Sequence, residues 1–95
     1  YAAQTGTRLE AMETCGDADD ISLDSKRSKI YVSCGAGIID VLDWRESRLT
    51  AHQRVPTRAG ARTSLLALDQ DRLFVAAPAT GQQPAAIFVY GLGTP

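Results

Sequence analysis

The sequence predicts an all-β chain, on three observations. Apolar residues fall in short runs rich in Val, Ile, Leu, Phe and Tyr; Gly, Asp, Ser and Pro break the chain between those runs; and no segment holds a helical apolar stripe for three turns. Composition agrees with a chain that folds, since 44 % of residues are hydrophobic and 22 % charged.

The elements follow in order. Residues 21–24 and 29–34 are strand-like runs joined by Asp24-Ser25-Lys26-Arg27-Ser28, and together they read as a hairpin. Gly35-Ala36-Gly37 turns the chain into a third run, 38–43, and Trp44 to Arg48 is a polar connection into a fourth, 49–56. The same grammar restarts at Ala61. Residues 63–68 form a strand, Asp69-Gln70-Asp71 a tight turn, 72–77 a second strand and, after a loop, 86–92 a third. Upstream, residues 7–14 resemble 49–57 and read as one more strand.

These runs repeat. Ala18 and Ala61, Ile30 and Leu73, and Val32 and Val75 are each 43 residues apart. Ile39 and Ile87 are 48 apart, because the loop from Pro78 to Pro84 is longer than Gly35-Ala36-Gly37. A period of roughly 40–45 residues with four strands per unit predicts the blades of a β-propeller.

The stretch Cys15-Gly16-Asp17-Ala18-Asp19-Asp20-Ile21, followed by Lys29-Ile30-Tyr31-Val32-Ser33-Cys34-Gly35 and Ile39-Asp40-Val41, resembles the YVTN-type β-propeller repeat proteins. The likeness is close at Ile30-Tyr31-Val32-Ser33 and looser at Leu73-Phe74-Val75-Ala76, and extends from Thr7 to Gly91. It implies the propeller fold and, since such proteins are often exported, an oxidising, periplasm-like location. It implies little chemistry, because propellers host enzymes and binders alike.

In propeller order the innermost strand of a blade comes first. Residues 7–14 are then the outermost strand of a neighbouring blade, 20–57 a complete blade, and 61–92 a three-stranded blade lacking its fourth strand, the whole of 1–95 forming one two-blade module. Both faces of each blade are apolar, and two blades stacked alone would leave two faces in water. Covering apolar faces of roughly 600 Å² is worth on the order of 15 kcal/mol before association entropy. The expectation is a homo-oligomeric ring in which residues 7–14 of one chain complete the last blade of the next. With propellers of about four to eight blades, dimer, trimer and tetramer rings are allowed; the small residues Ala67, Ala76 and Ala77 favour the trimer. The alternative is a piece of a longer propeller, and a chain beginning at Tyr1 reads as processed or excised, without a signal peptide.

Several residues are candidates for a site. Asp17, Asp19 and Asp20 precede the first strand, where propeller loops ring the channel mouth; with Arg62, which stands where Asp19 stands in the first repeat, they could bind a small polar or glycan-like ligand, or Ca²⁺ through carboxylate oxygens. The competing readings are turn capping and inter-blade ion pairs. Hairpin pairing of Asp24 with Lys29 brings Asp19 near Cys34 and Cys15 to the same end, so Cys15 and Cys34 form either a disulfide or two buried thiols.

One His and two Cys are too few for zinc. His52, the lone imidazole, falls on an outer strand away from any nucleophile and reads as a surface residue. Trp44 reads as cover for a blade edge, Tyr31 and Phe74 as core, and Gly35-Ala36-Gly37 as a turn without phosphate chemistry, since no helix follows. The polar loop from Pro78 to Pro84 is the best place for a loop-borne function.

A metal-dependent lactonase-like activity would need a Glu, Asn and Asp set, and the chain contains no Asn. No catalytic residue and no cofactor is expected. Ten Lys and Arg against eleven Asp and Glu leave a net charge of -1, which argues against nucleic acid. No apolar run approaches the roughly 20 residues of a bilayer-crossing helix. The function read from the sequence is a self-assembling scaffold.

Overall fold

The computed structural model describes residues 10–46 and 48–93. They are all-β, in two antiparallel meanders with neighbouring strands consecutive in the chain. The first sheet holds β1 (Ala18–Asp24), β2 (Lys29–Cys34), β3 (Ile38–Arg45) and β4 (Arg48–Pro56). The second holds β5 (Thr63–Ala67), β6 (Arg72–Ala77) and β7 (Ala86–Gly91).

The two sheets share one register. Asp24 pairs with Lys29 and Ile21 with Val32 in the first; Ala67 pairs with Arg72 and Ser64 with Val75 in the second, each partner 43 residues further on. The third strands agree as well, Ile39 opposite Ser33 and Ile87 opposite Ala76. The internal repeat of the sequence is therefore a repeat of hydrogen-bonded pairing. Because a shift of one residue would turn every side chain to the other face, equivalent positions in the two sheets face the same way.

Some boundaries differ from those expected. Trp44 and Arg45 belong to β3 rather than to a connection, paired with Leu49 and Arg48, and Glu46, at φ 52°, follows the strand. Leu68 leaves the strand for a 3-10 turn, Leu68–Gln70, closed by Asp71 in the left-handed region. β1 begins at Ala18, three residues before the apolar run, with a bulge between Ala18 and Asp20 that leaves Asp19 unpaired. Of the segment 7–14, residues 7–9 lie outside the described residues and 10–14 form no strand; Glu10 Oε2 accepts a hydrogen bond from the Leu49 N–H at 3.4 Å.

Alternation along the strands decides what is covered. One face of the first sheet, through Tyr31, Ile39 and Val41, packs on Leu73, Val75 and Ala77 of the second, with Val55, Leu66, Phe88 and Tyr90 around them. A second cluster, Cys15, Val32, Cys34 and Leu42, lies on the opposite face of the first sheet. Cys15 and Cys34 are joined by a disulfide with a Cα–Cα distance of 6.0 Å, so the segment before β1 is tied to the end of β2. The two sheets touch along β1 and β5. Gly37, at φ +98°, makes the turn into β3; a Cβ there would lie 3.0 Å from the Ala59 amide nitrogen, which closes the position to larger residues.

Candidate functional site

Three places carry functional potential: the end of the sheets where β1 and β5 begin, the opposite end where the two sheets are bolted together, and the two outward faces.

At the first place Asp17 and Arg62 form an ion pair, so the acidic side chain nearest the turn is engaged by the cation of the next repeat. The hydrogen bond from Arg62 to Asp17 raises the guanidinium pKa above its ordinary value. Asp20 Oδ2 accepts the Ser64 N–H at 2.9 Å, and the hydroxyls of Ser33 and Ser64 meet at 2.8 Å. Asp19, at the bulge, is exposed. Of the four residues expected to hold a ligand, Asp17 and Arg62 bind each other and Asp20 binds backbone. Among the described residues no three His, Cys, Asp or Glu side chains gather as a metal-holding group. Gly35 lies under the pair, since a Cβ there would overlap the Asp17 carboxylate.

The second place was not legible as a site. Asp24, fully buried, accepts from Tyr31 OH at 2.7 Å, from Arg27 Nη1 at 2.9 Å and from the Arg27 N–H at 3.2 Å. Arg27 also donates to Asp71 Oδ1 at 2.7 Å and to the carbonyl of Gly93, so one guanidinium ties the hairpin of the first sheet to the turn and tail of the second. Lys26 adds a bond to the Leu68 carbonyl at 2.8 Å. Burial works to raise the Asp24 pKa, but the bonds from Tyr31 and Arg27 outweigh it and hold the carboxyl below the ordinary range. For Tyr31, burial and the adjacent carboxylate push the phenol well above its usual value. The hydrogen bond from Arg27 lowers Asp71. A buried charge so fully partnered is a structural bolt. The available signal was the contrast of Asp24, Arg27 and Tyr31 with Ala67, Gln70 and Phe74, 43 residues on.

Beyond that bolt a cleft of about 620 Å³ opens between the sheets, floored by Ile39, Val41 and Leu73 and edged by Tyr90. Of its basic groups, Lys29 pairs with Asp43 and His52 Nδ1 lies 3.4 Å from Asp43 Oδ2. The bond from Lys29 lowers the Asp43 pKa. His52 is exposed on β4, far from the disulfide sulfurs in sheet order, and no nucleophile meets it among the described contacts.

The outward faces are apolar. Ile21 and Leu23 of the first sheet and Leu65, Ile87 and Val89 of the second are between 55 and 67 % exposed. Phe74 sits between Leu65 and Val89 in the second row. The outermost strands differ too. β4 carries Arg48, His52 and Arg54 along an exposed edge, the usual protection against further pairing; β7, Ala-Ile-Phe-Val-Tyr-Gly, carries no charge.

The loop from Pro78 to Pro84 is held from below. Arg58 Nη1 donates to the Pro78 and Pro84 carbonyls at 3.1 and 2.8 Å while its guanidinium lies 5.3 Å from the Phe88 ring centroid, and Thr80 Oγ1 accepts from the Gln82 and Gln83 amides. The loop's backbone groups and the Thr80 hydroxyl are thereby engaged in its own shape, while Gln82 and Gln83 are exposed. Comparison of the chain with family models, curated proteins and solved structures gives no match.

Proposed function

We propose that the chain is a two-blade β-propeller unit whose role is to assemble, copies joining head to tail into a closed ring that serves as an interaction scaffold. The observation that carries this reading is the pair of outward apolar faces on sheets that share one register. Each sheet already packs one face against its repeat, and the faces left over belong to the same repeat. The uncharged β7 edge supports it, since a three-stranded sheet one strand short of its partner presents a ready template for that strand. In this reading residues 7–14, of which 10–14 form no strand in the single chain, take up strand pairing only on joining the next copy. The mutual pairing of Asp17 and Arg62 argues for a joint at this end rather than for a ligand site.

Native mass spectrometry and light scattering at two protein concentrations test the proposal. The expected result is a species at a small integer multiple of 10.2 kDa, three copies favoured, that gains population with concentration. A folded monomer at every concentration would overturn assembly from copies and leave the outward faces to blades of the same polypeptide.

A further inference from the structure

We infer that the joint between copies is made by Ile21 of one chain entering the depression of the next chain formed by Thr63, Ala76, Ala77, Ala86 and Ile87. This rests on the head-to-tail reading above and adds which side chains meet and why only a second copy fits.

The joint inside the chain and the one outside it differ at equivalent positions. Inside, the sheets meet through polar pairs as well as their apolar core: Ser33 with Ser64, Asp17 with Arg62, and Arg27, anchored by Asp24 and Tyr31, with Asp71. The shared register fixes what stands in each place when a further repeat is stacked on the second sheet. Ser33 becomes Ala76 and Ser64 becomes Ile21, so a hydroxyl pair turns into a methyl facing a butyl group. Asp24, Arg27 and Tyr31 become Ala67, Gln70 and Phe74, while Asp71 becomes Ser28. The charges of the bolt are gone from both sides, while Lys26, which reaches Asp71 in the inner joint, becomes Asp69. Asp17 becomes Gly60 where Arg62 becomes Asp19, which has an open, solvent-facing position at the bulge.

A face that had lost only its own half of these pairs would leave the partner's charge buried and unmatched, an expensive arrangement. Loss on both faces of one chain is what complementarity between copies requires. The surface agrees: a depression of about 530 Å³ lies where Ser64 sits in the inner joint, lined by small side chains, and Ile21 is 67 % exposed. Thr63 stands where Asp20 accepts the Ser64 N–H, while the Ile21 N–H is already taken by Asp20 Oδ1 of its own chain at 3.0 Å, so the outer joint needs no counterpart to that bond. The internal joint adds polar bonds to its apolar core, and the external one rests on apolar burial alone.

The test uses the full chain and reads assembly by light scattering, with circular dichroism to confirm that each variant keeps its strands. Ile21→Asp and Ala76→Asp each leave the single chain folded, both positions being exposed, and each abolishes assembly. Mixing the two variants restores a dimer and nothing larger, because one chain keeps the depression and the other keeps Ile21. Ile21→Ser alone raises the midpoint concentration of assembly about tenfold or more. Ile21→Ser combined with Ala76→Ser recovers part of that loss by recreating the Ser33–Ser64 pair. If the wild-type chain assembles and Ile21→Asp assembles equally well, the proposed joint is overturned while the ring reading stands. A wild-type chain that stays monomeric overturns both.

Discussion

Replacing Tyr31 by Phe removes one hydroxyl and keeps the ring in the inter-sheet core. The hydroxyl donates to Asp24 at 2.7 Å inside the joint, where Asp24 is fully buried and no water replaces the lost donor. A hydrogen bond to a buried charged group is worth about 1.5–3 kcal/mol, and a 60–100-residue domain loses roughly 4–8 °C per kcal/mol. Tyr31→Phe is therefore expected to lower the melting temperature by ~6–24 °C. Urea unfolding followed by the fluorescence of the single Trp44 measures the free energy directly, at one fixed protein concentration.

The loss also has a pH signature. The Asp24 pKa is lowered on folding, so its stabilising contribution is complete above its unfolded value near 4 and disappears as pH falls through the folded value. The difference between wild type and variant should be full at pH 7 and shrink in melts near pH 3. Phe74→Tyr supplies the control, since Ala67 stands where Asp24 would be and the added hydroxyl finds no carboxylate. A Tyr31→Phe loss below ~0.5 kcal/mol at pH 7 would refute the buried bolt.

Two further outcomes are expected. Because folding raises the Tyr31 pKa, the stability it contributes is present below about 10, the unfolded phenol value, and is lost as pH rises above it; urea midpoints between pH 8 and 11 should fall more steeply for the wild type than for Tyr31→Phe. Removing the cross-link with Cys15→Ser and Cys34→Ser together should lower stability by about 3 kcal/mol, from a closed loop of 19 residues, and unfolding with and without reductant should differ only for the wild type.

The strands were legible because alternation and turn residues are local signals. β2 and β6 were read to the residue, and the pairing of Asp24 with Lys29 followed from the turn between them. The limits of β3 and β5 were not, because they depend on the partner strand: Trp44 and Arg45 look like a polar linker until Leu49 and Arg48 pair with them. At the candidate site, Asp17 and Arg62 were visible as opposite charges near equivalent positions, but whether they would bind a ligand or each other depends on a distance across sheets. Asp24 and Arg27 were hidden in plain turn chemistry. A carboxylate before a hairpin turn is ordinary, and only the packed second sheet, bringing Asp71 and Gly93 within reach, makes it the anchor of the joint.

Among the described residues every ladder connects strands that follow one another, so each sheet closes through the loops between neighbours, whereas the bonds of the bolt span separations such as the 44 residues from Arg27 to Asp71. Low sequence separation favours rapid formation. The meanders are thus expected to nucleate early and independently, and the docking of one against the other, with dehydration of Arg27, becomes the late and rate-setting event. Slowing would then be tuned by substitutions at the seam, while changes within a hairpin would shift the speed of its own zipping.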